Sequence, residues 1–381
     1  MIPGSPIAGV RWRPWCIPFV RPFETASARM AEREGVVVVL ETEDGAIGIG
    51  EASPLPSLRL SVATVEARLG VLAPALAGRS PTAAWAALPP CGQRVNAVDV
   101  ALETALGDLI AQGDEVPIGF WLAQQAGLGR PAGAPIAANA LLTASDPSEV
   151  AREAKVAADE GFDTFKLKVG RDLTQDGERL AAVRAALGPE AVLRIDANGA
   201  WAVEEAVTAL TSLAVHDLAL CEQPVPAGPA ATAQLAEVRA ASPVPIAADE
   251  SCGSGTELSA LIAANAVDAV VVKPLRTGLR AALAMIATAR THALRTVLTT
   301  TFDTGIGTAL ALHLAALLPE PRPACGLATR SLLAGDVVSG FPALAEGAIA
   351  VPSGPGLGVR LDLAALDRFA IGPWTDCDRQ A

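Results

Sequence analysis

Hydrophobic and polar positions follow two different rhythms along this chain of 381 residues. From Pro135 onward, short apolar runs of strand character end near Leu142, Lys168, Asp196, Glu222, Asp249, Lys273, Thr300 and Leu327. The intervals are 26, 28, 26, 27, 24, 27 and 27 residues. Between them lie segments such as VEEAVTALTSLAV and GLRAALAMIATAR, whose apolar residues recur at helical spacing. Eight strands alternating with seven helices predict a modified (β/α)8 barrel of (β/α)7β type, the eighth unit lacking a full helical segment.

The first 130 residues read differently. VVVVLETEDGAIGIGEA predicts a hairpin turning at Asp44 and Gly45, and helical segments follow, among them VNAVDVALETALGDLIAQG. The expected class is therefore α/β, with an N-terminal α+β capping domain over residues 1–130. The barrel, with the metal and catalytic residues, is expected over 131–335, and a Pro/Gly-rich segment returning to the cap over 336–381.

With 51% hydrophobic residues the chain builds a large core readily. No apolar run has membrane-spanning length with clean flanks, and the N-terminus lacks the order of a signal peptide, so a cytoplasmic location with no membrane partner is expected. A net charge of −12 disfavours nucleic acid as a partner. The six cysteines are scattered and the three histidines have no zinc spacing. His216, His292 and His313 fall away from strand ends and are assigned no chemistry.

The chain has four lysines among its 29 basic residues. Three of them, Lys166, Lys168 and Lys273, end apolar strands. Arginine keeps its proton near neutral pH, whereas a buried lysine can lose one, so lysine here suggests a need for a removable proton. Lys166 and Lys168 point to the same side of their strand, and the barrel interior near the C-terminal mouth is the destination that offers partners. Asp196, Glu222 and Asp249 end the next three strands. Brought together they repel unless a cation lies between them, and an all-oxygen set suits Mg²⁺, with Mn²⁺ also allowed. A single strand-end acid commonly caps a helix or pairs with a cation, and Lys166 would equally serve as an ion-pair partner. Five successive strand ends carrying Lys-x-Lys, Asp, Glu, Asp and Lys in matching register are hard to produce by core packing.

Those residues carry a resemblance. KLK at 166–168, DANGAW at 196–201, CEQP at 221–224, ADES at 248–251 and VVKP at 271–274 resemble the enolase superfamily in its muconate-lactonising-enzyme-like subgroup. The likeness extends to GIGEASPLP at 48–56 and GPGLGV at 354–359. A His base on strand seven, expected of the mandelate-racemase-like subgroup, is missing from VLTTTFD. Within the subgroup, IPFVRPFETA at 17–26, NALLTA at 139–144 and the pair TTTFDTGIGTALALHLAA and GLATRSLLAGDV resemble the o-succinylbenzoate synthase family of menaquinone biosynthesis.

That resemblance implies a Mg²⁺-dependent lyase acting on a small-molecule carboxylate. The reaction is syn loss of water from 2-succinyl-6-hydroxy-2,4-cyclohexadiene-1-carboxylate, with Lys168 as base, Lys273 as a cation facing the ring and Lys166 in support. Racemisation of N-succinylamino acids, or epimerisation of dipeptides, stays open on the same scaffold. Epimerases of the subgroup carry Asp-x-Asp on strand eight, where this chain has Gly326-Leu327-Ala328-Thr329. Asn198, Arg194, Glu250, Thr300 and Gly326 are implied to position substrate or ligands. Arg21, in an irregular 17–26 loop, would meet a substrate carboxylate, or else be a solvated loop charge. Arg194 would equally be a structural ion-pair partner. A homo-oligomer is compatible with the sequence. A catalytically silent barrel would be expected to lack one of the five charged strand ends, and none is lost.

Overall fold

A computed structural model describes residues 4–24, 29–55, 60–89, 97–131 and 133–378. The chain begins with an antiparallel sheet of β1 (Ile7–Glu24), β2 (Arg29–Thr42) and β3 (Ile47–Ala52), followed by helices α1 (Val62–Leu72), α2 (Pro81–Ala87), α3 (Ala97–Gly113) and α4 (Ile118–Gln125). The β2–β3 hairpin turns at Gly45, whose φ of 85° is the left-handed conformation that glycine adopts without strain. A strand near the C-terminus, Thr375–Asp378, pairs antiparallel with Gly9–Trp12 of β1 at the sheet edge.

Within this sheet the central run Val36–Leu40 is buried on both faces. One face meets α3 so closely that a Cβ on Gly50 would lie 2.0 Å from the Ala101 carbonyl oxygen. Gly50→Ala must push helix and sheet apart and is expected to destabilise the fold by about 2 kcal/mol or more, a typical overpacking cost. Chemical denaturation measures it; an unchanged midpoint would disprove the close approach.

The second body is built from β4 (Ile136–Ala137), β5 (Ala140–Leu142), α5 (Pro147–Asp159), β6 (Thr164–Lys168), α6 (Leu173–Leu187), β7 (Val192–Asp196), α7 (Val203–Leu213) and β8 (Leu218–Glu222). It continues through α8 (Ala231–Ala241), β9 (Ile246–Ala248), α9 (Gly255–Ala263), β10 (Ala269–Val272), α10 (Pro274–Thr277), α11 (Leu279–Thr291), β11 (Arg295–Leu298) and α12 (Gly305–Ala315). Strands β5 to β11 form one parallel sheet in sequential order. Parallel bridges Thr299–Gly326 and Ala138–Cys325 carry the ladder round from β11 to the first strand, so the eighth strand is reduced to two residues. A 3₁₀ turn at Ala328–Leu332 follows where an eighth helix would stand. Side-chain caps start several of the helices: Asp146 for α5, Asp172 for α6, Ser254 for α9 and Thr304 for α12.

Alternation along the strands sorts the two faces. Phe165, Leu167, Leu193, Ile195, Cys221, Ile246, Val270 and Val272 pack outward into the main hydrophobic core. Leu220, Ala247 and Ala269 form a separate small cluster and share their strand faces with the charged residues, plugging the interior beneath them.

The segment expected to be an irregular loop is mostly strand. β1 stays in register with β2 as far as Pro18–Glu32, loses it, and regains it at Phe23–Met30. Arg21 and Pro22 occupy that break, and Arg21 is exposed. Residues 25 and 26 of the 17–26 motif lie outside the described residues, as does Pro56 of the 48–56 motif. Phe19 and Phe23 pack against Phe302 at 5.3 and 4.5 Å between centroids, so this arm lies on the segment that follows β11.

Candidate active site at the barrel mouth

In the β6–β7 ladder Lys166 pairs with Arg194 and Lys168 with Asp196; in the β7–β8 ladder Asp196 pairs with Glu222. These side chains therefore share one face, with Lys168, Asp196 and Glu222 on one level and Lys166 and Arg194 on the level beneath. Lys166 Nζ donates to Glu222 Oε1 at 2.8 Å and lies 2.9 Å from Asp196 Oδ2. Lys168 Nζ donates to Asp196 Oδ2 at 2.7 Å and to Asn198 Oδ1 at 2.6 Å. On the other side Lys273 Nζ donates to Asp249 Oδ2 at 2.5 Å, and Arg276 Nη1 lies 3.3 Å from Asp249 Oδ1. Asp196 and Asp249 are 1% exposed and Glu222 5%, so these charges have left water and depend on one another.

Burial raises the Asp196 carboxyl, but Lys166 and Lys168 outweigh it and hold the group well below the usual range. Asp249 is likewise raised by burial and brought below its ordinary value by Lys273 and Arg276. Glu222 goes the other way. Burial pushes it up to about 8, Lys166 opposes that, and Asp196 and Asp249 add to the rise. Burial pulls both Lys166 and Lys273 down, yet their carboxylate neighbours prevail and keep both ammonium groups charged.

The structure thus gathers the predicted lysines and carboxylates into two ion-paired groups, coupled through Glu222. The carboxylate oxygens are drawn onto lysines: among the described residues, ligand atoms gathered within 4.8 Å of one another are those of Cys16, Glu32 and Glu34 on the β1–β2 surface. The donor chemistry at the mouth nevertheless fits a hard divalent ion. Three buried carboxylates supply oxygen alone, and Glu250 Oε2 beside them is buried without a hydrogen-bond partner among the described residues.

The remaining candidates separate. Asn198, at φ 46°, accepts from Lys168 and donates through Nδ2 to Glu250 Oε1 at 3.0 Å, linking the ends of β7 and β9. Burial, then Asp249, raises the Glu250 carboxyl. Arg194 instead donates to the Ala324 carbonyl at 2.8 Å, tying β7 across the barrel to the eighth strand. Thr300 lies 2.5 Å from Thr329, hydroxyl to hydroxyl, and its backbone N–H donates to Gly326. A Cβ on Gly326 would meet the Thr299 hydroxyl at 2.4 Å, so glycine there serves strand closure.

Two contributors escaped the sequence reading. Gln223, fully buried at φ 42°, accepts from the backbone N–H groups of Asp249 and Ser251 at 3.0 and 3.1 Å and so fixes the end of β9. Arg276 braces the same turn, donating to the Glu250 carbonyl at 2.7 Å. Gln223 stands inside the CEQP motif, and Arg276 three residues after Lys273, a basic residue in the first turn following a charged strand end.

A parallel barrel with its charged cluster at the C-terminal ends of the strands, beneath an antiparallel cap, defines the enolase type of protein, and the chain belongs to the enolase superfamily, in its muconate-lactonising-enzyme-like branch. Residues 149–365 match the enolase C-terminal domain-like family, and 11–121 match the mandelate racemase/muconate lactonizing enzyme N-terminal domain. The o-succinylbenzoate synthase of Thermobifida fusca is 43% identical over 52% of this chain and 61% of its own length, so the match spans less than two thirds of that relative. An L-Ala-D/L-amino acid epimerase of Populus trichocarpa is 31% identical over 80% of this chain and 73% of its own. Among solved structures, a dipeptide epimerase of Cytophaga hutchinsonii, complexed with Mg and the dipeptide D-Ala-L-Val, superposes with a TM-score of 0.86 at 27% identity, covering 98% of this chain and all of that one. No helix among the described residues is long and apolar enough to cross a membrane.

Proposed function

We propose that this protein is a Mg²⁺-dependent o-succinylbenzoate synthase, removing water from 2-succinyl-6-hydroxy-2,4-cyclohexadiene-1-carboxylate in menaquinone biosynthesis. The observation that carries the reading is the placing of Lys168 and Lys273 at the two ends of one buried carboxylate cluster, joined to an eighth strand without acid. Asp196, Glu222 and Asp249 would hold the ion. Bound there, Mg²⁺ would offset the negative charge that develops on the substrate carboxylate as its α-carbon loses a proton. Lys168 Nζ, in its neutral form, takes that proton. The C–O bond then breaks, and the departing hydroxide recovers the proton from the Lys168 ammonium as water, which returns the amine to neutrality. Lys273 stays cationic and faces the delocalised charge of the ring. Lys166, paired with Asp196 and Glu222, stays a fixed cation beside the base. Arg21, on the exposed break of β1, is offered to the carboxylate of the succinyl arm.

A second reading, N-succinylamino acid racemase or dipeptide epimerase, is favoured by the longer span of the epimerase match. There Lys273 would deliver a proton to the face opposite Lys168. Spectrophotometric turnover of the cyclohexadiene acid, with and without Mg²⁺, tests the first reading: metal-dependent loss of diene absorbance is expected. No turnover by folded, metal-loaded protein, joined to α-deuteration of an N-succinylamino acid or a dipeptide in D₂O, would replace it with the second.

A further inference from the structure

We propose that Asp176 and Arg179 on α6 form a positioning pair that fixes the base from behind, an inference that rests on the reading of Lys168 as the proton acceptor. The side chain of Lys168 is located at its tip by Asn198 and Asp196. Its backbone lies at the end of the ladder, where Lys168–Asp196 is the last β6–β7 pair. Beyond that pair, Arg179 Nη2 donates to the Lys168 carbonyl at 2.7 Å, and Asp176 Oδ2 accepts from the Gly170 N–H at 2.7 Å. The two side chains also bond each other, closing a ring of contacts around Lys168–Gly170. Gly170 permits the turn at φ 103°, where a Cβ would collide with that of Ala200 at 2.5 Å.

Both members are buried, Asp176 to 1% and Arg179 to 8% exposure. Arg179 Nε has no hydrogen-bond partner among the described residues. A buried ion pair with an unpaired donor is a poor way to stabilise a helix against a strand, since apolar packing of equal volume commonly does as well or better. What the pair supplies that apolar packing would not is direction: one acceptor and one donor on either side of Val169 set the angle at which β6 delivers Lys168 to the mouth. A long, flexible lysine transmits a small rotation of its backbone to Nζ, and a displacement near 1 Å costs about 10²-fold in rate.

The test is Arg179→Met, with Arg179→Lys as the conservative variant. The Met variant is expected to lose about 10- to 100-fold in kcat, with KM and Mg²⁺ affinity within threefold of wild type and a larger primary isotope effect on the α-deuterated substrate. Arg179→Lys, which can still reach the Lys168 carbonyl, recovers most of the loss. A lowered melting temperature with unchanged kcat and isotope effect would reduce the pair to a structural staple and overturn the proposal, as would parallel loss of kcat and Mg²⁺ affinity. Should the Met variant not fold, Asp176→Asn is read by the same criteria. If the wild type does not dehydrate the diene acid but exchanges the α-hydrogen of an N-succinylamino acid or dipeptide, that exchange rate replaces kcat and the test stands. Inertness toward all of these removes the parent reading and this proposal with it.

Discussion

Lys168→Ala is expected to lose about 10²- to 10⁴-fold in kcat, the range a positioned general base contributes, while still binding Mg²⁺ and melting near the wild-type temperature. The side chain is partly exposed at the mouth, and its contacts are the polar ones to Asp196 and Asn198, so its removal takes out a proton carrier without opening a core cavity. Asp196 keeps Lys166 as a counter-ion at 2.9 Å, which protects the fold from an uncompensated buried charge. Near-normal turnover in the alanine variant would refute the role of base. In D₂O the same variant separates the steps further: α-deuteration should fall in parallel with turnover, because both need the proton to leave carbon.

The second large effect concerns metal and pH together. Burial pushes Glu222 up to about 8, with Asp196 and Asp249 adding to it. For an acid whose pKa is higher folded than unfolded, the unfolded chain gives up its proton first as pH rises. Stability is therefore lost progressively above the unfolded value near 4.5 and up to about 8. Metal-free protein should thus melt lower at pH 8.5 than at pH 6 on account of this group. Mg²⁺ requires the ionised carboxylate and relieves the repulsion, so its stabilisation should be greater at the higher pH. At a hundredfold excess over Kd, linkage gives about 2.7 kcal/mol, visible as a shift in Tm. Glu222→Gln should raise the metal-free Tm at pH 8.5 and shrink the Mg²⁺ shift together. A variant that leaves both unchanged would remove Glu222 from the site.

The barrel was legible because its strands are short, apolar and evenly spaced, and because a charge at the end of a buried strand has few places to go. Alternation alone put Lys166 and Lys168 on one face, and the β6–β7 register set them level with Arg194 and Asp196. The eighth strand was legible only as an approximate position, since a two-residue bridge leaves almost no periodicity to read. Strand over 17–24 was not legible, because Pro18 and Pro22 argue against strand unless the partner ladder breaks between them, as it does here. Arg194 carried the right register for the mouth but points to the Ala324 carbonyl; register gives a face, not the reach of a long side chain. Gln223 acts through backbone groups on the next strand end, and the α6 pair through backbone groups of the turn before its own helix; hydrophobic periodicity marks neither kind of partner.

One helix of the N-terminal half fastens the two halves together. Glu103 of α3 accepts from the first N–H groups of α11, at Leu279 and Arg280, with distances of 2.9 and 3.2 Å. Glu51 at the end of β3 does the same for the start of α12, taking the N–H groups of Thr304 and Gly307. The helix α11, which has no side-chain cap of its own, therefore borrows one from another part of the chain, and α12 adds Glu51 to its own Thr304 cap. Any chimera that swaps the first 130 residues for those of a relative must bring an acid at both places. A transplant lacking them would leave the first N–H groups of α11 and the Gly307 N–H of α12 buried without those acceptors at the seam.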